Sequence, residues 1–332
     1  MDSKPDYCAT DNKEKLYMET PVMYSFPLSK HAGFKVYLKL DNLQPSGSFK
    51  IRGISNMIQK GIDRGDSEHV YCASGGNAGM AAAHASKQLG IPCTIVVPQT
   101  TPEFVNERLR NLGAEVKVHG SVYDEAKKLA VELGSQPRCM LIPAFEHPDI
   151  WEGHASLINE SSRQMSERPD LVITCVGGGG LLNGIVQGMR DVGWDEVPVL
   201  AMETHGANCF NAAIAAGEAV FIPAITSIAK SLGSLIVSPQ TLEYYKQACP
   251  RILNEMVSDN QVIDACVRFS DDHRFLVEPA CGASLAAVYS NVVKQLQDSG
   301  KLGTVKSVLV VVCGGSIVST AVMEKWKADF GM

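Results

Sequence analysis

The chain has 332 residues, of which 45% are hydrophobic and 20% charged, and its formal net charge is −6. That length and balance predict a globular enzyme of two domains with ample core, and mixed charges without a basic block exclude nucleic acid and anionic membrane as partners. Its ten cysteines form no Cys-x-x-Cys pair and its eight histidines no His-x-x-x-His pair, which predicts buried thiols in a reducing compartment and neither a disulfide framework nor a transition-metal site.

Residues 1–20 read as a loose, polar arm with several acids. They lack the apolar core of a signal peptide, and no later run approaches the ~20 apolar residues of a membrane span, so a soluble cytoplasmic protein is expected. A helical stretch over 28–32 leads to a strand over 35–40 and then to Pro45-Ser-Gly-Ser-Phe-Lys-Ile-Arg-Gly53. Here Lys50 follows a small Gly-containing turn and precedes a helical pattern over 51–60. The positive end of the helix dipole and partial burial both disfavour its ammonium form. An uncharged lysine is a nucleophile toward carbonyls and a base toward acidic C–H bonds. Phe49 beside it offers a flat apolar face. The string fails the P-loop template, since no Ser or Thr follows the lysine. Taken alone, Lys50 reads as an ordinary solvated residue at a helix start, and only what stands elsewhere in the chain raises it above that.

From there strands over 69–73, 92–97, 114–118 and 139–142 alternate with helices ending at Leu89, over 102–112 and over 123–133. This alternation predicts βαβ units and a parallel sheet, an α/β fold. An amphipathic segment over 151–165 carries His154, read as structural. The rhythm resumes with a strand over 171–176, Gly177-Gly-Gly-Gly180, a helix over 181–192 and a strand over 197–202 that ends at Glu203. Residues 210–279 read as mostly helical, with a short strand possible at 256–258. A helix over 283–296 precedes the last strand, 307–312, which runs into Cys313-Gly-Gly-Ser316. About one helix follows, which leaves no room for a C-terminal regulatory domain.

Ligands of parallel α/β sheets sit at the carboxyl ends of the strands, and three Gly-rich turns fall there: 74–79, 177–180 and 313–316. Four glycines before a helix let the backbone N–H groups converge on a phosphate. Strand, glycines, helix, strand and Glu203 also mimic a dinucleotide fold in which the acid holds a ribose, but the Gly-x-Gly-x-x-Gly spacing is not met. In Ser74-Gly-Gly-Asn-Ala-Gly79 the Ser74 hydroxyl and Asn77 amide can bind a carboxylate or an oxyanion; the alternative is an ordinary helix cap. Cys313 offers a weak, uncharged hydrogen-bond partner or a packing thiol. One lysine, one phosphate cradle, one carboxylate-binding turn and one mild partner for a ring nitrogen are together what a pyridoxal-phosphate enzyme acting on an amino acid needs.

The strings P-S-G-S-F-K-I-R-G, S-G-G-N-A-G-M-A-A-A, G-G-G-G-L-L-N-G and C-G-G-S, in that order, resemble those of the fold-type-II pyridoxal-phosphate enzymes, and within them the serine and threonine dehydratases. The likeness runs across the chain from about Pro21. It implies two three-layer α/β/α domains with mostly parallel sheets: a large one from 21–41 plus 146–332, and a small one over 42–145 inserted in it. It also implies that Lys50 bonds the aldehyde of pyridoxal 5'-phosphate and that Phe49 stacks on the pyridine. Asn77 would bond the phenolic oxygen, the backbone of Gly177, Gly178, Gly179, Gly180 and Leu181 the phosphate, and Cys313 would face the ring nitrogen. Ser74, Gly75 and Asn77 would hold the substrate carboxylate. Relatives carry Ala or Gly at the position of Gly75, and glycine would hold that carboxylate less rigidly. A monovalent cation, potassium, is implied near Gly177, Glu203, Ala207, Leu232 and Ser234, although the thiol of Cys209 is a poor ligand for a hard cation.

The implied reaction is β-elimination, giving pyruvate and ammonia from L-serine or 2-oxobutyrate and ammonia from L-threonine, in a cytoplasmic homodimer. The freed Lys50 amine takes the α-proton, and the cofactor phosphate is the donor for the leaving hydroxyl. A serine racemase or β-replacing relative would share the lysine and the cradle. A nicotinamide-dependent dehydrogenase or a non-catalytic binder would not carry a cofactor on Lys50.

Overall fold

The computed structural model of the chain describes residues 15–332 except residue 66, so most of the expected arm lies outside the described residues. Two sheets organise it. The larger has the order β1 (Val22–Tyr24), β2 (Lys35–Leu40), β10 (Ser307–Val312), β7 (Leu171–Cys175), β8 (Val199–Thr204) and β9 (Ile252–Val257). All its neighbours are parallel except β1 and β2, where Val22 faces Lys39 and Tyr24 faces Tyr37. The smaller sheet, order β5 (Glu115–Val118), β4 (Cys93–Val97), β3 (His69–Cys72), β6 (Cys139–Ile142), is parallel throughout. Every residue of β7, β8 and β10 is buried, which is why these strands read as unbroken apolar runs.

Helices fill the connections. They are α1 (Phe26–Ala32), α2 (Lys50–Asp63), α3 (Asn77–Leu89), α4 (Glu103–Asn111), α5 (Tyr123–Gly134), α6 (Pro148–Gln164) and α7 (Gly180–Asp191), then α8 (Cys209–Ala216), α9 (Pro239–Gln247), α10 (Asp259–His273), α11 (Pro279–Tyr289), α12 (Val292–Asp298) and α13 (Thr320–Asp329). Local chemistry sets many of their ends. Ser25 caps α1 through Leu28 N (3.2 Å), Pro148 opens α6, and Ser258 with Gln261 forms a capping box on α10.

The expected elements from 28 to 203 are present with ends shifted by a few residues, and β1 is an addition. Two readings are corrected. The short strand expected at 256–258 is the six-residue edge strand β9; its central Asn254 and Glu255 are only partly buried, and that polar interruption hides the period. The single helix expected over 283–296 is two, α11 and α12, because Asn291 between them takes a left-handed conformation (φ 58°) that Asn tolerates better than most residues.

One core surrounds the larger sheet. A second lies against the smaller sheet and is filled by Ile51, Ile54 and Ile58 of α2, Ala81, Ala82 and Ala85 of α3, and Ile95 of β4. The helix that begins at Lys50 is therefore packed into the smaller core. Its Arg52 points the other way, into a buried ion cluster with Asp41 and Glu160.

Candidate active site

The turn before Lys50 is sewn to the turn after β10. Phe49 N donates to Cys313 O (3.1 Å), Gly315 N donates to Gly47 O (2.9 Å), and Ser48 pairs with Gly314. So close an approach needs glycine at 314, where φ is +93° and a Cβ would stand 2.4 Å from Gly47 O. Lys50 then opens α2 and keeps some exposure, while its ammonium end is enclosed and donates to Ala144 O (2.5 Å). Burial lowers its pKa to about 8, only weakly opposed by Cys313, Cys72 and Cys175.

The residue after Ala144 leads to the glycine loop. A Cβ on Gly178 would stand 2.3 Å from the Phe145 ring, and one on Gly180 would stand 2.7 Å from Phe145 O. Trp151 Nε1 holds that carbonyl (2.7 Å). On its other side the loop is fixed by Ser238 N, which donates to Gly178 O (2.9 Å), and by Thr241, whose Oγ1 lies 2.0 Å from where a Cβ on Gly179 would be. Gly179 has φ +95° and caps α7 without a side chain. Among the described residues, none accepts a hydrogen bond from the amides of Gly177, Gly178 and Gly179. Those of Gly180 and Leu181 belong to the first helical turn, where no intrahelical acceptor exists. Five consecutive backbone donors thus stand at a helix N-terminus, and a phosphate ester fits that donor set.

The third turn, 74–76, precedes α3. The expected cap is corrected: Gly76 is the N-cap, and neither Ser74 nor Asn77 caps the helix with its side chain. Ser74 Oγ accepts from Gly76 N (3.2 Å), and Ser74, Gly75 and Asn77 all keep partial exposure. Asn77 reaches across to the larger body. Its Nδ2 donates to Glu278 Oε2 (3.1 Å), and its Oδ1 accepts from Ser316 N (2.8 Å) and Ser316 Oγ (2.7 Å).

Cys313 is buried with its Sγ 3.6 Å from that of Cys175. Contact with Cys175, contact with Cys281 and burial push its thiol well above the usual range, so it remains uncharged. The ring of Phe49 lies 4.9 Å from that of His154. Burial, with Lys50 and Arg52 nearby, holds the His154 imidazole well below its ordinary pKa, and neither of its nitrogens has a hydrogen-bond partner among the described residues. His154 is thus a neutral wall behind Phe49.

Glu203 is buried and accepts from Phe210 N (2.9 Å), Asn211 N (2.8 Å) and Asn254 Nδ2 (2.9 Å). Burial pushes its carboxyl up to about 7 despite these donors. Three protein donors leave it about one of its four acceptor positions, on Oε1, too few to grip the two hydroxyls of a ribose. Around it, Cys209 Sγ donates to Gly177 O (3.4 Å), Leu232 O accepts from Ser234 N (2.7 Å), and Ala207 N donates to Thr204 O (3.0 Å). A Cβ on Gly177 would lie 3.0 Å from Leu232 O. Gly177 and Leu232 therefore adjoin, and Cys209 joins them to the neighbourhood of Glu203. Their carbonyls keep free lone pairs, an oxygen set that suits a hard monovalent cation.

Sequence reasoning passed over Ala144, Phe145, Cys175, Glu278 and Ser231, the last of which donates through Oγ to Glu278 Oε2. The signal for Glu278 was a lone acid directly before Pro279 and the wholly buried helix α11. Nothing local marks Ala144 or Phe145.

A sequence model of the family described as "Pyridoxal-phosphate dependent enzyme" matches residues 14–314. The chain is 51% identical to L-serine dehydratase/L-threonine deaminase of Bos taurus, over 96% of this chain and 97% of that one. It is 48% identical to the serine dehydratase-like protein of Homo sapiens, over 96% of both. Among solved structures, a fungal L-serine ammonia-lyase from Rhizomucor miehei superposes with a TM-score of 0.88 at 35% identity, covering 96% of this chain and all 100% of that one.

Proposed function

The chain belongs to the pyridoxal-phosphate dependent enzymes, and from that premise we propose that it is an ammonia-lyase that removes ammonia from L-serine, giving pyruvate, and from L-threonine, giving 2-oxobutyrate, the water lost in the elimination being regained when the released imine is hydrolysed. The observation that carries this reading is the seam of Lys50, Ala144, Phe145 and Gly178. It ties a lysine whose pKa is lowered to about 8 to a helix N-terminus with unused amides.

Bound pyridoxal phosphate supplies an aldehyde that captures the substrate amine and an aromatic ring that takes up the electron pair left by the α C–H bond. The protein does the rest. The amides of Gly177, Gly178, Gly179, Gly180 and Leu181 would hold the cofactor's phosphate, and Phe49 would lie against its ring. Asn77 would donate to the phenolic oxygen, and the uncharged Cys313 thiol would face the ring nitrogen without fixing a proton on it. Ser74, Gly75 and Asn77, all partly exposed at the start of α3, hold the substrate carboxylate, Asn77 through its backbone N–H. Lys50 Nζ would hold the cofactor and, as a free amine, would take the α-proton, a task suited to an amine whose pKa is near the working pH.

The cluster at Gly177, Glu203, Ala207, Leu232 and Ser234 is the place for a potassium ion, which would hold the base of the glycine loop. Its role is structural, and the Cys209 thiol contributes no ligand. Replacing potassium by tetramethylammonium is expected to lower both turnover and cofactor affinity; equal values in the two salts would remove the ion from the account. A cytoplasmic homodimer completes the reading. The cysteines, all free among the described residues, suit a reducing compartment, and the dimer rests on the family likeness alone.

Product analysis tests the activity. L-serine is expected to yield pyruvate and ammonia in equal amounts; D-serine as the main product would assign the site to racemisation instead.

A further inference from the structure

Glu278 lies outside the residues assigned to cofactor and substrate, yet it is 1% exposed and sits between the two bodies. Its Oε2 accepts from Asn77 Nδ2 (3.1 Å) and from the Ser231 hydroxyl, and its Oε1 accepts from Ile317 N (3.0 Å). The opposite end of the Asn77 amide accepts two bonds from Ser316, at 2.8 and 2.7 Å. A carboxylate only accepts, and a backbone amide only donates. Turning the Asn77 amide over would set oxygen against oxygen and N–H against N–H, so one orientation is imposed. Both acceptor sites of Oδ1 and one hydrogen of Nδ2 are then in use, and a single N–H remains. Gly315 makes room for this arrangement: its φ is +148°, and a Cβ there would stand 2.1 Å from Glu278 Cγ.

We infer that Glu278 is a positioning residue of the reaction, acting through Asn77 so that a donor, never an acceptor, is left for the phenolic oxygen of the bound cofactor. The inference rests on the reading of the site given above. In Glu278→Gln the oxygen at the Oε2 position still serves Asn77 and Ser231 but sets the NH₂ end against Ile317 N, and at the Oε1 position it serves Ile317 N but sets the NH₂ end against Asn77. Either arrangement leaves a donor opposed, and the Asn77 amide is held less firmly in its one orientation.

The test compares the parent holoenzyme, Glu278→Gln, Asn77→Ala and the double variant, each reduced with borohydride in one portion and scanned for the visible band of bound cofactor in another. With the label still on Lys50, Glu278→Gln is expected to move the band maximum and to lower kcat for L-serine about tenfold. In the Asn77→Ala background the same substitution is expected to move neither, because the two residues act as one unit. A band that Glu278→Gln leaves in place, or a shift that adds in full to that of Asn77→Ala, overturns the inference. Should Glu278→Gln fail to fold, Ser316→Ala removes one of the two donors on Oδ1. A smaller band shift is expected there, and an unmoved band overturns the inference equally. A parent without label on Lys50 removes the underlying reading of the site, which keeps the two failures distinct.

Discussion

Lys50 is held in a form that the fold itself opposes. Its pKa falls from 10.5 to about 8 because its ammonium is buried, with only weak opposition from the neighbouring thiols. Between those two pH values the unfolded chain keeps the proton that the folded chain has lost, so stability rises with pH across that window. Below it the full penalty acts, about 3 kcal/mol. Cofactor-free Lys50→Met is therefore expected to exceed the parent in stability by about that amount near pH 7, with the gap closing as pH approaches 10.5. Urea unfolding at both pH values measures it, and a variant no more stable near neutrality would show that the ammonium is well solvated. Gly75 offers a second test. It has no positive φ, and a Cβ there would meet Thr101 Cγ2 at 3.1 Å, a fit that needs only a small adjustment. Gly75→Ala should stiffen the carboxylate-binding turn and raise kcat about two- to fivefold, the equivalent of 0.4–1 kcal/mol. Steady-state kinetics with no gain would count against a loose turn.

At the scale of elements, α2 is aimed by Arg52, the third residue of its first turn, rather than by its lysine. Arg52 is wholly buried and makes paired bonds to Asp41 (2.6 and 2.8 Å) and to Glu160 (both 2.8 Å), while Lys39 donates to Glu160 (2.7 Å) and to Thr20 O (2.6 Å). Two cations and two carboxylates thus join β2, the turn after it, α2 and α6 without solvent. Arg52→Ala leaves both acids buried with one fewer cation, and a loss of about 3–5 kcal/mol is expected from its denaturation midpoint. A loss under about 1 kcal/mol would mean that Lys39 or water replaces the guanidinium. The elements themselves were largely legible. Strands buried on both faces read as apolar runs, and helices closed by Gly90 or Gly113 end where those residues stand. Reading failed where local signals conflict with tertiary context: at β9, whose Asn254 is polar because it serves Glu203 (2.9 Å), and at Asn291, which breaks a helix that periodicity carries through.

At the scale of the whole molecule, the site is a meeting of two sheets' carboxyl ends. The Lys50 turn, the glycine loop and the Cys313 turn belong to the larger sheet, and the 74–77 turn belongs to the smaller. The contributors that end a strand or open a helix were legible because each carries its own glycine-rich signature. Their long-range partners were not: Asn77 and Glu278 stand 201 positions apart, and Asn77 and Ser316 239, distances over which a single sequence carries no pairing signal. The 144–145 connection that brings Lys50 to the loop has no signature at all, since it acts through a backbone carbonyl and an ordinary Phe. The most direct test of the whole account is peptide mapping by mass spectrometry after borohydride reduction of the pyridoxal-phosphate-loaded protein. A single pyridoxyl adduct on Lys50, abolished in Lys50→Arg along with pyruvate formation from L-serine, is the predicted result. An adduct on another lysine, or undiminished pyruvate from Lys50→Arg, would contradict it.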